Sequence, residues 1–392
     1  MKNEGLRKWR RLCVKSIMFY SIAMRAASLF LLVTSLAAAQ APGQSASALL
    51  QAGEAAQQRG DHSSAIESFR SVLKLQPDML QAHAALVTSL VALGQVDATI
   101  EKDEQVLAVS PADEGTRINL ALLLQKKGDL RAARSEFERL HASHPHDLAP
   151  AMLLGNVYVQ MDRNLEAIDL LTPLEPGNEE NAEFEYSLAF AQIAEGRATD
   201  GMPRMEKVAK ATQSGNAWLI AGAAHLHRDE FAEARADLDA AMALNPNLPG
   251  LATMAGQARF AVGEAEAAMP AFQLALRNDP RDFTANLYMG MMALKGRDFE
   301  AARALLELAL QLRPDYPLAR LEMAKLNSMT GKEEEAVKTL EDLAKKTPDW
   351  PDPHVQLSTL YYKLHRPEDG QREREIVQRL ESKQQKQGPS NN

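Results

Sequence analysis

GNAWLIAGAAHLHRDEFAEARADLDAAMALNP, residues 215–246, is the stretch that decides the fold. Apolar or small residues stand at Trp218, Ala221, Gly222, Ala234, Leu238 and Ala241, at intervals of three and four that place them on one face of each of two helices. The polar break His227-Arg228-Asp229-Glu230 separates these helices. Asn245-Pro246 ends the second, because the residue before a proline is pushed out of the helical region. The result is a pair of short amphipathic helices.

The same beat returns up and down the chain. Prolines close the matching windows at Pro77, Pro111 and Pro145, then at Pro246, Pro280, Pro314 and Pro348, 34 residues apart within each run. A small residue in the first helix recurs at Gly53, Gly155, Gly222, Gly256 and Gly290. Another opens the second helix at Ala65, Ala133, Ala167, Ala234, Ala268, Ala302 and Ala336, followed four places later by Phe69, Phe137, Leu171, Leu238, Phe272, Leu306 and Leu340. A period between 20 and 50 residues marks a stack of one supersecondary unit.

These positions resemble the tetratricopeptide repeat, whose pattern runs W-x2-L-G-x2-Y, then A-x3-F, then P across 34 residues. The resemblance covers 46–384 and implies an all-α, right-handed α-solenoid of about ten helix-turn-helix repeats. The repeats start near Ala46, Leu80, Glu114, Leu148, Ala182, Gly215, Pro249, Phe283, Pro317 and Pro351. Small residues at the crossing let two helices approach to about 8–10 Å, and the large residue fills the groove so formed. Residues 40–45 read as a linker and 385–392 as a disordered tail. The final helix, around 371–382, alternates Arg372, Glu373, Arg374 and Glu375, as a terminal cap with one solvated face should.

Departures from the pattern mark candidate weak points. Repeat 2 has Asp103 where the bulky residue of the second helix is expected. Repeat 4 has Pro173 and Pro176 inside its second helix, which predicts a helix cut short, since an interior proline costs about 3 kcal/mol. Repeat 5 carries Gly201 in place of alanine and Gln213 in place of the closing proline. The segment 172–216 is therefore the expected mechanical weak point.

The N-terminus is basic and then apolar. Lys2, Arg7, Lys8, Arg10, Arg11, Lys15 and Arg25 precede an apolar run that closes on Ala37-Ala38-Ala39, which reads as a secretory signal peptide over 1–39, cut after Ala39. Translation could begin at Met1, Met18 or Met24. The rival reading is an uncleaved membrane anchor over 17–39, which would place Arg25 in the bilayer at a cost of about 2.5–3.5 kcal/mol. An exported chain, periplasmic or extracellular, is the expectation. Cys13 is the only cysteine, so a chain cut after Ala39 has no thiol. Removing 1–39 changes the balance from 44 − 52 = −8 to 37 − 51 = −14. That acidity argues against nucleic-acid partners.

The chain has no H-E-x-x-H, G-x-S-x-G, phosphate-binding glycine loop or C-x-x-C, and the repeats leave no segment for a catalytic domain. His141, His144 and His146 beside Asp147 are the densest cluster of ligand-type residues, with His225-x-His227 second. Both flank turns, and no catalytic residue, metal or cofactor is assigned.

In the family that the chain resembles, ligands lie along the groove made by successive first helices. The matching positions are Ile118, Leu122, Met152, Asn156, Tyr186, Phe190, Ile193, Leu219, Leu226, Phe260, Leu287 and Met291. This largely apolar stripe points to a protein or peptide partner with an apolar or amphipathic segment. The Lys/Asn/Arg clamp of the co-chaperone type is missing from these positions. Inward positions can also be core, covered by adjacent helices. A non-enzymatic scaffold with its partner in the groove is the leading expectation. The alternative is a structural or self-associating envelope module using its convex face or terminal repeats.

Overall fold

The computed structural model describes residues 45–387, which form twenty α-helices and no strand. The expected signal peptide or anchor lies outside the described residues, as does the tail from 388 onward. The helices are α1 (Ala46–Gln58), α2 (His62–Leu75), α3 (Leu80–Ala92), α4 (Val96–Val109), α5 (Glu114–Lys127), α6 (Leu130–Ser143), α7 (Leu148–Gln160), α8 (Asn164–Leu171), α9 (Ala182–Glu195) and α10 (Ala198–Thr212). They continue as α11 (Gly215–His227), α12 (Phe231–Leu244), α13 (Leu251–Ala261), α14 (Ala265–Asn278), α15 (Phe283–Lys295), α16 (Phe299–Leu312), α17 (Pro317–Met329), α18 (Glu333–Lys346), α19 (Pro351–Lys363) and α20 (Pro367–Gln387). Odd-numbered helices are the A helices of the repeats and even-numbered ones the B helices. The chain is an all-α solenoid, with two compact units that divide within α11 between Ala224 and His225.

Local chemistry sets the helix ends. Aspartates cap three B helices: Asp61, Asp129 and Asp298 each accept a hydrogen bond at Oδ1 from the backbone N–H three residues on, at 3.1 Å. Each satisfies one of the orphan donors of a helix N-terminus. Between every A helix and its B helix one residue takes positive φ: Gly60, Gly94, Gly128, Asp162, Gly196, Asp229, Gly263, Arg297, Gly331 and His365. The left-handed conformation reverses the chain, which is why glycine dominates the position.

Within a repeat, the A helix presents a small residue and the B helix fills the space above it. A Cβ added to Gly53 would lie 2.5 Å from Phe69 Cε1, and one added to Gly256 would lie 2.6 Å from Phe272 Cε1. Gly290 stands in the same relation to Leu306, at 2.9 Å. Phe69, Phe137 and Phe272 are fully buried, and burying such a side chain stabilises by about 1.5–3 kcal/mol.

The departures have structural counterparts. α8 has only eight residues and passes into a 3-10 turn at Thr172–Leu174. Its last residue, Leu171, is still buried against Gly155, so the helix stops once its filling residue is in place. Gly201, by contrast, does not interrupt its helix: α10 is 15 residues long. A Cβ at Gly201 would lie 2.6 Å from the carbonyl oxygen of Ala189, so glycine is what lets α10 approach α9. The loop after α8 is tied down by Arg204, which bonds Glu175 and also Glu185 at 3.0 Å, and by Lys207, 2.9 Å from Glu180. The A helix of repeat 7 begins at Leu251 rather than Pro249, because Gly250 takes φ +75° before it. α20 stays helical to Gln387, past the expected start of the tail at 385.

Repeat 2 departs furthest. It has Val87 at the small position of the A helix, Thr99 at the small position of the B helix, and Asp103 in place of the filling residue. α3 and α4 scarcely touch, while α4 packs on α5 and α3 reaches α5 directly. The hairpin is open.

In the intact array, Phe272→Ala should lower the unfolding free energy by about 3–5 kcal/mol in urea titration, because a cavity opens over Gly256. Gly256→Ala alone should cost about 1–3 kcal/mol by overpacking. Combining it with Phe272→Leu should recover most of that loss, reproducing the Ala324/Leu340 pairing of repeat 9.

Candidate functional site

The A helices carry the candidate stripe, and the structure divides its members by burial. Ile118 is 5% exposed, Phe190 7%, Leu219 0% and Leu287 2%. Neighbouring helices cover these four side chains, so they serve packing rather than a groove. Ile118 belongs to the cluster of Phe137 and Leu140, and Leu287 to that of Leu306. Leu122, Met152, Asn156, Tyr186, Ile193, Leu226, Phe260 and Met291 are half-buried.

In the N-terminal unit the half-buried members are mostly engaged with their own chain. Leu122 packs on the core, and Ile193 packs on Ala198, Met202 and Ala224. Tyr186 stacks on Phe190 with ring centroids 6.4 Å apart. Asn156 Oδ1 accepts hydrogen bonds from Gln125 Nε2 at 3.2 Å and Gln160 Nε2 at 2.6 Å. A polar bridge thus joins α5 to α7 where the sequence suggested an apolar strip.

The C-terminal unit is different. Phe260 meets Tyr288 edge-on at 4.9 Å, and Tyr288 stacks on Phe272 at 5.3 Å, with burial pushing the Tyr288 hydroxyl pKa up. Met291 lines a hollow of about 340 Å³ formed by α15, α17 and α19. Leu294 and Met329 supply further apolar wall, while Lys295, Arg297, Glu322, Lys325, Ser328 and Gln356 supply the polar part. Lys325 Nζ is 2.8 Å from Glu322 Oε1, so that pair is neutralised internally. Lys295 and Arg297 are exposed, and the left-handed turn at Arg297 carries its side chain to the rim.

Sequence reasoning missed Lys295, Arg297, Lys325 and Met329. A scan for charge on the A helices and their turns would have raised the three cations, but apolar periodicity passes over them. Of the histidines singled out by the sequence, His144 and His225 lie against carboxylates. His144 Nε2 lies 2.9 Å from Glu114 Oε1, and its Nδ1 is 3.4 Å from Asp147. His225 Nδ1 lies 2.8 Å from Glu230 Oε2.

Two family models, both described as "Tetratricopeptide repeat", match this chain. One covers 293–371 and the other 50–114, 118–175 and 253–317. No curated protein matches it. Among solved structures, the APC/C hetero-tetramer Cut9-Hcn1 is 11% identical, covering 97% of this chain and 81% of that one at TM-score 0.47. Yeast Tom70 is 13% identical, covering 88% and 97% at TM-score 0.34. YrrB, described as a TPR protein with an unusual peptide-binding site, is 18% identical, covering 47% and 95% at TM-score 0.41. With helix pairs in phase along the chain and family matches over most of its repeats, the protein belongs to the tetratricopeptide repeat family.

Proposed function

We propose that this chain is a non-enzymatic scaffold that acts outside the cytoplasm and holds an amphipathic protein segment against its A helices. Its fold is typical of protein–protein interaction scaffolds. The observation that carries the reading is the hollow of the C-terminal unit. Met291 and Met329 offer flexible apolar contact there, and Met329 is 45% exposed. Lys295 and Arg297 place positive charge at its edge, although the chain as a whole carries −8. A segment with apolar side chains next to a carboxylate suits that combination, and a phosphate backbone does not suit the overall charge. Export rests on the basic and apolar character of 1–39.

Terminal sequencing of the protein recovered from its native envelope should place the first residue at or within a few residues of Gln40. An intact N-terminus in the membrane fraction would establish the anchored form.

A photo-crosslinking residue at Met329 should capture a partner in that compartment. Lys295→Glu with Arg297→Glu should reduce the capture at least tenfold while leaving the melting temperature within a few degrees, since both side chains are exposed. Undiminished capture by the double variant would move the site elsewhere. In the N-terminal unit, Phe190→Ala should cost about 3–5 kcal/mol of stability in urea titration, because its ring is core.

A second reading, self-association, has its own support. Leu75 at the end of α2 is 57% exposed, and Val109 at the equivalent end of α4 is 85% exposed. If these side chains join copies of the chain, mass measurement across a concentration series will show a dimer that Leu75→Ser with Val109→Ser abolishes.

A further inference from the structure

Asp103 occupies the position where the other repeats of the N-terminal unit bury Phe69, Phe137, Leu171 or Met205. Its carboxylate is itself buried, at 8% exposure, on the face of α4 that meets α5. Asn119 of α5, 7% exposed, donates from Nδ2 to Asp103 Oδ2 at 2.5 Å. The other end of that amide, Asn119 Oδ1, is buried without a hydrogen-bond partner. Leaving a buried acceptor unsatisfied is costly, and the Asp103 carboxyl, already bonded to the same amide, becomes a donor when protonated. A carboxylic acid and a primary amide pair through two hydrogen bonds. The amide N–H donates to one acid oxygen, and the acid O–H donates to the amide oxygen.

Because α3 and α4 scarcely touch, α4 is held to the array chiefly through α5, and Asp103–Asn119 sits in that contact. We propose that Asp103 and Asn119 form a proton-operated joint between repeats 2 and 3, closed when Asp103 is a neutral acid and loosened when it is ionised. In the closed form a proton taken from solvent sits on Asp103 and is donated to Asn119 Oδ1. In the loosened form the carboxylate keeps one hydrogen bond, and Asn119 Oδ1 has none.

The surroundings favour the neutral form at mildly acidic pH. Burial raises the pKa of Asp103 from 3.8 to about 6, against smaller lowering effects from the Asn119 hydrogen bond, Lys102 and Arg70. Asp113, at the start of α5, adds to the rise. On α3 the titratable group is His83, whose Nε2 lies 2.7 Å from the carbonyl oxygen of Pro77 and whose pKa is lowered by burial. With the folded pKa above the unfolded one, the stabilisation is complete below about pH 4 and is lost as pH rises through 6.

Hydrogen exchange on the intact chain at pH 5 and pH 7.5, corrected for intrinsic rates, tests the joint. Protection over 96–124 should fall with rising pH by up to about tenfold, because linkage between an open-state pKa of 3.8 and a folded one of about 6 leaves only about one unit of that shift between pH 5 and pH 7.5. Protection over 265–312 should change far less. Asp103→Asn should remove the difference between the two segments, and His83→Gln should leave it in place. A wild-type response equal in both segments overturns the proposal without any variant. Survival of the difference in Asp103→Asn, or its loss in His83→Gln, overturns it as well.

Discussion

The contact on which the rest of the structure depends is the seating of one large B-helix side chain over one small A-helix residue. Where Phe69 covers Gly53 and Phe272 covers Gly256, no β-carbon could be accommodated beneath the ring. That single steric fact sets how closely two helices approach, and the approach fixes which other side chains become core. Repetition of the contact builds each unit. Stability in such an array resides mainly in nearest-neighbour interfaces, so the loss of one contact is felt locally.

Repeat 2 shows what happens when the contact is absent. Val87 is too large for the lower position, and Asp103 is too polar to fill the upper one. The hairpin opens, α3 turns to α5, and the buried carboxylate is satisfied by Asn119 of the next repeat. Repeat 4 meets a different problem with a different solution. Its B helix ends at Leu171 because prolines follow, yet Leu171 is already seated on Gly155, and Arg204 and Lys207 secure the loop beyond. A shortened helix that keeps its filling residue disturbs the stack less than a full-length helix that lacks one.

The A-helix surface available to a partner is what remains after packing has used its share. In the N-terminal unit little is left over: Tyr186 lies on Phe190, and Asn156 is bridged to Gln125. In the C-terminal unit, Met291 and Met329 stay accessible beside Lys295 and Arg297, so apolar and cationic contact occur together. Long flexible side chains of this kind can adapt to a partner without moving the helices that carry them.

Residues 215–246 and their echoes along the chain determined the helical pairs, their phase and the early end of α8, because local apolar spacing and proline are short-range constraints that any helix must obey. The positive-φ turn came from the structure: glycine takes it at Gly60, Gly94, Gly128, Gly196, Gly263 and Gly331, and Asp162, Asp229, Arg297 and His365 take it in the other four repeats. The candidate site was legible only in outline. Spacing placed Ile118, Phe190, Leu219 and Leu287 on the inward side of their helices, but whether a neighbouring helix covers a given face depends on how closely adjacent repeats approach. Only the tertiary structure decided that these four are core, that Met291 shares a hollow with cations from its own turn and the next repeat, and that Asp103 faces an unsatisfied amide, because each outcome is set by contacts between repeats.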